Sequence, residues 1–293
     1  MANQIPRYRP SGYFRITTIP YVLGVAVAAA LVAWLYQMLL RWIPFIYINL
    51  VIAALFAGLV GFAGAVAMRA GHCRNRLLAY TIALPLAAAP VAASHYWSYR
   101  ADLGKVLEET TPGMTMAEAT SQIPISDWLA IRKAAGWRVK SSTVNGNAVL
   151  FVWGVEALLF LGLGLYLTGK AAGEAYCERC NRWCVDRAIL VAGLDRAAVD
   201  PLVAAADLDG ILALAPPPDP PADQSLKLTL AACPACRDTG FLSVDEQRVV
   251  QRKNKQETKE KTLVSLAVLS PAQRARLGAR TGEAAPPVAS AAG

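Results

Sequence analysis

Four long apolar stretches fill about half of residues 1–169, and a tail of mixed polarity follows them. The first runs over residues 19–40 without a charge, and at 1.5 Å per helical residue that is long enough to cross a hydrocarbon core of roughly 30 Å. It follows a basic segment, 1–18, holding Arg7, Arg9 and Arg15 with the helix-opposing Pro6 and Pro10. A cleavable signal peptide is the alternative, but such peptides have apolar cores of only ~7–15 residues and end in a small-residue cleavage motif, which is not evident here. The turn Arg41-Trp42-Ile43-Pro44 leads to a second span, 45–68, with Trp42 and Tyr47 placed for an interfacial aromatic belt. Within that span Ala53, Ala57, Gly61 and Ala65 recur every fourth residue, a stripe that lets another helix approach closely. Bilayer helices are rich in Ala and Gly in any case, so the stripe predicts a packed bundle and no more.

A loop with Arg69, Arg74 and Arg76 precedes the third span, 77–93, which ends near His95-Tyr96-Trp97 and is expected to kink at Pro85 and Pro90. The three spans together occupy residues 19–97. A polar segment, 98–147, follows. Thr115-x-x-Glu118 reads there as a capping box, and Ser126 as the cap of a short helix ending at Gly136. Trp128, Ile131 and Ala135 would share one face, predicting a small amphipathic element lying on the membrane or on the bundle. The fourth span, 149–168 within a segment 148–169, contains Glu156 about seven residues in, roughly 10 Å deep. An ionisable group at that depth is costly and marks a functional candidate, whether protonated or paired with an arginine.

Apolar residues make up 55% of the 293-residue chain and charged residues only 17%, which excludes an ordinary soluble protein. The formal net charge is +8, but from Lys170 onward 16 Lys and Arg face 15 Asp and Glu, leaving +7 in residues 1–169. Those charges flank apolar runs, as the positive-inside bias requires, so nucleic acid is not the expected partner. The same bias puts both termini and the Arg69–Arg74–Arg76 loop in the cytoplasm and 98–147 outside. That outer segment carries six Lys and Arg against five Asp and Glu, which weakens the bias without reversing it.

The tail, 170–280, carries the clearest chemistry. Cys177-x-x-Cys180 and Cys233-x-x-Cys236 supply four thiolates, and two residues between cysteines let both sulfurs reach one metal. Such a set closes a tetrahedron and leaves no place for water, so it predicts a structural zinc site. Iron in a rubredoxin-like setting, a thiol redox pair and inert thiols are the rivals. Cys184 extends the first couple to C-x2-C-x3-C, as a buried thiol or a substitute ligand; Cys73 stands alone beside His72. Through Cys177, Cys180, Cys233 and Cys236 the tail resembles the zinc-ribbon class, over about a third of the chain, and departs from it in its long insert of 52 residues. The layout as a whole, four spans followed by a ribbon-like tail, resembles bacterial membrane proteins, which implies the inner (cytoplasmic) membrane.

Inside the insert, residues 199–214 predict one or two short helices broken near Asp209-Gly210, and a proline-rich run at 216–221 predicts a stiff connector. Leu226, Leu228 and Leu230 alternate as a strand does. Residues 241–251 and 258–269 predict two more strands around a charged turn, and Ser270-Pro271 opens a last helix. The Ala- and Pro-rich run 281–293 predicts disorder. No phosphate-binding glycine loop, nucleophile elbow or histidine metal motif is present, and the chain has only two histidines, His72 and His95.

The expected fold is therefore a membrane α-helical bundle of four transmembrane helices followed by a small α+β zinc-ribbon-like domain. The expected role is a non-enzymatic scaffold or adaptor in the bilayer, meeting a protein partner on the cytoplasmic side and able to form homo-oligomers. One alternative is a transporter or pore component using Glu156, Pro85 and Pro90; the other is a membrane thiol-redox or iron electron-transfer protein.

Overall fold

A computed structural model describes residues 5–43, 46–110, 113–139, 142–218, 220, 223–236, 238–252 and 255–281. The chain forms two units, one of Ser11–Gly173 and one of Met1–Pro10 with Glu174–Gly293. The expected disorder at 281–293 falls almost wholly outside the described residues.

The first unit is a helical bundle. Its long helices are α1 (Thr18–Trp42), α2 (Ile46–Ala70), α3 (Arg76–Thr110) and, after the shorter elements below, α6 (Asn147–Ala172). All four contain stretches long and apolar enough to cross a membrane, and only 17–39% of each such window is buried within the bundle. The outward faces are therefore apolar too, with Leu23, Leu31, Leu55, Phe62, Leu84 and Leu158 all exposed. A helix that is apolar all round needs an apolar surround. Around the bundle the packing order is α1, α2, α6, α3, so that α1 and α6 face each other across a diagonal.

The small-residue stripe has a definite role in this packing. Ala53 and Ala57 are buried, and a Cβ on Gly61 would come within 2.7 Å of the Leu163 carbonyl oxygen on α6. Close approach of α2 to α6 is built from these positions. At the loop between α2 and α3 the same device recurs, since a Cβ on Gly71 would meet Thr18 Cα at 2.6 Å, and the Thr18 hydroxyl donates to the Gly71 carbonyl.

The third helix is far longer than the apolar run. It passes through Pro85 and Pro90 and continues to Thr110, because Tyr99 and Leu103 keep one face apolar after the apolar run has ended. That face receives α4 (Met116–Gln122) and α5 (Ile125–Ala135) through a small core of Tyr99, Leu103, Ala119 and Trp128. The Thr115–Glu118 capping box is present on α4. At α5 the N-cap position is Pro124, without a side-chain cap, and the Ser126 hydroxyl instead meets the Asp127 carboxylate inside the first turn. Trp128 is buried but Ile131 is exposed, so the expected three-residue face reduces to Trp128 alone. Gly136 ends the helix at φ +65°, where a Cβ would collide with the Val144 carbonyl. A short antiparallel pair, β1 (Trp137–Val139) and β2 (Ser142–Val144), then leads into α6.

The second unit is a four-stranded antiparallel sheet with helices packed on it. A two-residue hairpin, β3 (Tyr176–Cys177) and β4 (Arg182–Trp183), precedes the sheet of β5 (Val185–Ala192), β6 (Gln224–Ala232), β7 (Gly240–Arg252) and β8 (Lys255–Val268), ordered as in sequence. Leu226, Leu228 and Leu230 are fully buried at alternate positions of β6, with Leu228 opposite Val244 and Leu230 opposite Leu242. They meet Ile211 and Leu212 of α8 (Leu208–Ala213), Val199 of α7 (Arg196–Ala204) and Leu277 of α9 (Pro271–Arg280). Ser270 and Gln273 form a capping box at the start of α9, with Pro271 at its first position.

Three expectations change here. The break in the insert lies at residues 205–207, not at Asp209-Gly210: Ala206 has φ 54°, and the Asp207 carboxylate accepts from the Gly210 N–H at 2.8 Å, so Gly210 sits in the first turn of α8. The edge strand β5 has no counterpart in the sequence reading, because Val191 is its only buried residue. And part of the basic segment 1–18 has a partner that the sequence reading did not give it. The Val268 N–H donates to the Pro6 carbonyl and the Tyr8 N–H to the Leu266 carbonyl, with Arg7 bridged to Ala267, so the amino-terminal arm extends the sheet along β8.

Candidate metal centre

The first cysteine couple is held by the β3–β4 hairpin. Cys177 ends β3, Cys180 lies in the turn, and Asn181 takes the left-handed conformation at φ 52° that Asn tolerates better than most residues. Tyr176 and Trp183 stack edge to face at 4.9 Å across this hairpin, and the Cys184 N–H donates to the Ala175 carbonyl to close it. The second couple occupies the connection between β6 and β7. There the Cys233 N–H donates to the Thr239 carbonyl, and Ala232 pairs with Gly240 just behind it.

These two turns bring all four sulfurs together. The Sγ atoms of Cys177, Cys180, Cys233 and Cys236 lie within 4.8 Å of one another, with Cys177 and Cys233 buried. Cys177 Sγ and Cys236 Sγ are 3.5 Å apart. Four bonds of about 2.3 Å to one tetrahedral ion set sulfurs about 3.8 Å apart, so the donor set fits such an ion.

The surroundings suit thiolate. The backbone N–H groups of Ala235 and Cys236 both point at Cys233 Sγ at 3.4 Å. Thr239 Oγ1 lies 3.3 Å from Cys177 Sγ and 3.6 Å from Cys236 Sγ. Such outer contacts orient ligands and stabilise their charge. Burial works to raise the Cys236 thiol, but hydrogen bonds with Thr239, Cys180 and Cys177 outweigh it and hold the group down, at about 6. Its hydrogen bond with Cys236 is the first cause that pushes Cys180 up, to about 12. Metal ligation needs deprotonated sulfur, so an ion bound here displaces any thiol proton that remains. At the rim Arg179 and Asp238 form an ion pair at 2.6 Å, one from each turn.

Cys184 lies outside this set. Burial, aided by the nearby Cys233 and Cys177, pushes its thiol up to about 12, and it packs beside Ala175, Ala231 and Phe241. Cys73 is buried in the helical unit, where its Sγ contacts the Asn75 carbonyl at 3.8 Å. Glu156 also belongs to the helical unit. It is buried on α6 and accepts from the Tyr36 hydroxyl on α1 at 2.7 Å, so its partner is a phenol and not an arginine. Sequence reasoning did not find Tyr36 or Thr239. Neither is marked by a motif, since both reach their sites through folding alone.

A metal ion held by four sulfurs has no open position for a substrate or an activated water, so such a site would tie the two turns together or, with iron, pass electrons. No protein family matches the chain, and no curated protein or solved structure matches it either.

Proposed function

We propose that the chain is a four-span protein of the bacterial inner membrane that presents a zinc-stabilised domain to the cytoplasm and serves there as a non-enzymatic scaffold or adaptor. The observation that carries this reading is the convergence of four cysteine sulfurs within 4.8 Å, contributed by two turns far apart in sequence. Zinc is the natural occupant of an all-thiolate tetrahedron with no open position. Its binding energy is folding energy, on the order of 10–16 kcal/mol in small zinc peptides.

The amino-terminal arm supports the arrangement of the spans. Residues 6–8 hydrogen-bond to β8 of the tail domain, which fits a layout with both ends of the helical unit on one side of the membrane. Four crossings fit that layout. The arginine-rich loop and a reducing compartment suited to unpaired thiolates both favour the cytoplasm for that side.

The test is metal analysis of the purified full-length chain, followed by in-cell crosslinking from the tail domain. One zinc per chain, together with a crosslinked protein partner that is lost in Cys177→Ser and kept in Glu156→Gln, supports the reading. Iron in the site, or a reversible Cys–Cys disulfide, overturns the zinc scaffold in favour of electron transfer or thiol chemistry.

A further inference from the structure

The helical unit contains a polar cavity that neither the cysteine site nor the anchoring role uses. It measures about 590 Å³, within the ~300–1,000 Å³ of small-molecule sites. All four long helices line it, at the end of the bundle where α1 ends and α6 begins. Tyr36 comes from α1, Asn49 from α2, His95 and Ser98 from α3, and Trp153 and Glu156 from α6.

The inner lining offers acceptors. Glu156 is 7% exposed and takes one hydrogen bond, from Tyr36 across the bundle diagonal. A carboxylate can accept up to about four. No lysine or arginine pairs with it among the described residues. Asn49 Oδ1 is buried without a hydrogen-bond partner, and an acceptor removed from water without a donor is costly. Aromatic surface completes this end: His95 meets Trp153 edge-on at 5.1 Å, and the Tyr36 ring is fixed against Phe56 and Phe160.

A carboxylate, an unsatisfied carbonyl and aromatic rings together suit an ammonium group, which brings three donors and a positive charge. They suit a divalent ion poorly, since calcium takes six to eight oxygens and the cavity is much larger than one ion. The outer lining carries Lys105 and Arg132 with Asp102, whose carboxylate accepts from Trp128 Nε1 at 3.1 Å. That rim is cationic on balance and disfavours a second ammonium.

We propose that this cavity is a binding site for a small organic monoamine, its ammonium seated between the Glu156 carboxylate and Asn49 Oδ1 and its apolar body lying against the Tyr36 and Trp153 rings. The site does not depend on the metal centre, and its test does not either.

The full-length chain, in nanodiscs, is titrated by calorimetry and tryptophan fluorescence with 2-phenylethylamine, neutral 2-phenylethanol and anionic 3-phenylpropanoate. The expected result is saturable amine binding about tenfold or more tighter than the alcohol, as a charge-assisted hydrogen bond implies. Glu156→Gln should erase that difference, and Asn49→Ala should reduce it. Equal affinity for amine and alcohol, preference for the anion, or amine binding unchanged in Glu156→Gln overturns the proposal. Should Glu156→Gln fail to fold, Asn49→Ala and the cavity-filling Val152→Phe, at a half-buried lining position, decide: amine binding unchanged in both overturns it.

Discussion

Tyr8 lies against Phe241 with ring centroids 4.8 Å apart, which joins the amino-terminal arm to a strand more than 230 positions further along the chain. The contact sits where β8 bulges. Leu242 pairs with Ala267 but Val244 pairs with Val264, and Leu266, at φ 47°, turns its carbonyl toward the Tyr8 N–H. An exposed edge strand invites pairing with other chains, and here the arm covers the end of β8 at residues 266–268.

The Tyr8→Ala variant should therefore destabilise the tail unit, although Tyr8 is only half-buried. The lost burial and ring pairing are expected to cost about 1–3 kcal/mol. Thermal denaturation of the full-length chain, read together with limited proteolysis of the tail, checks this. Unchanged protease resistance would show that the arm adds nothing to the sheet.

Replacing Cys177 with Ser removes one of the four sulfurs that the two turns bring together. The Arg179–Asp238 pair is exposed at both partners, and such pairs contribute only about 0.2–1 kcal/mol. The variant should lose its metal and its resistance to proteolysis between residues 174 and 252. Cys184→Ser, outside the cluster, should keep one metal per chain. Elemental analysis and protease mapping of the two variants side by side separate ligand from bystander.

Gly61 and Gly58 give an internal comparison on α2. A Cβ at Gly61 would meet Leu163 backbone at 2.7 Å, while nothing lies within 4 Å of one at Gly58. Gly61→Leu should force α2 from α6 and cost about 1–3 kcal/mol as overpacking does. Gly58→Leu should change stability by less than about 0.5 kcal/mol. A detergent melt of each variant measures the difference, and equal melting temperatures would contradict the close α2–α6 packing.

The sequence makes some features of this protein plain and hides others for physical reasons. Hydropathy finds the four helices because each carries a long, strongly apolar run. It misplaces the end of α3, since Tyr99 and Leu103 continue the helix as an amphipathic one after the apolar run stops. The cysteine couples are visible because metal ligation demands a fixed local spacing. Leu226, Leu228 and Leu230 are visible because a half-buried strand alternates. β5 escapes notice because an edge strand with one buried side chain leaves almost no periodic signal. The arm at residues 5–8 and the Tyr36–Glu156 hydrogen bond are long-range contacts between residues that carry no local pattern.

The arm also makes a prediction about sidedness. Its backbone bonds to β8 place residues 6–8 and 266–268 within one sheet, while α4 and α5 follow α3 at the other end of the bundle from the Gly71–Arg76 turn. Single cysteines introduced at Arg9, Ser121 and Lys259 report on each location with a membrane-impermeant thiol reagent in intact cells. Arg9→Cys and Lys259→Cys should be protected until the membrane is opened, and Ser121→Cys should be labelled at once. Labelling of Arg9→Cys and Lys259→Cys on opposite sides would contradict the arm's pairing with β8. Labelling of all three from one side would contradict a crossing by α3 or α6.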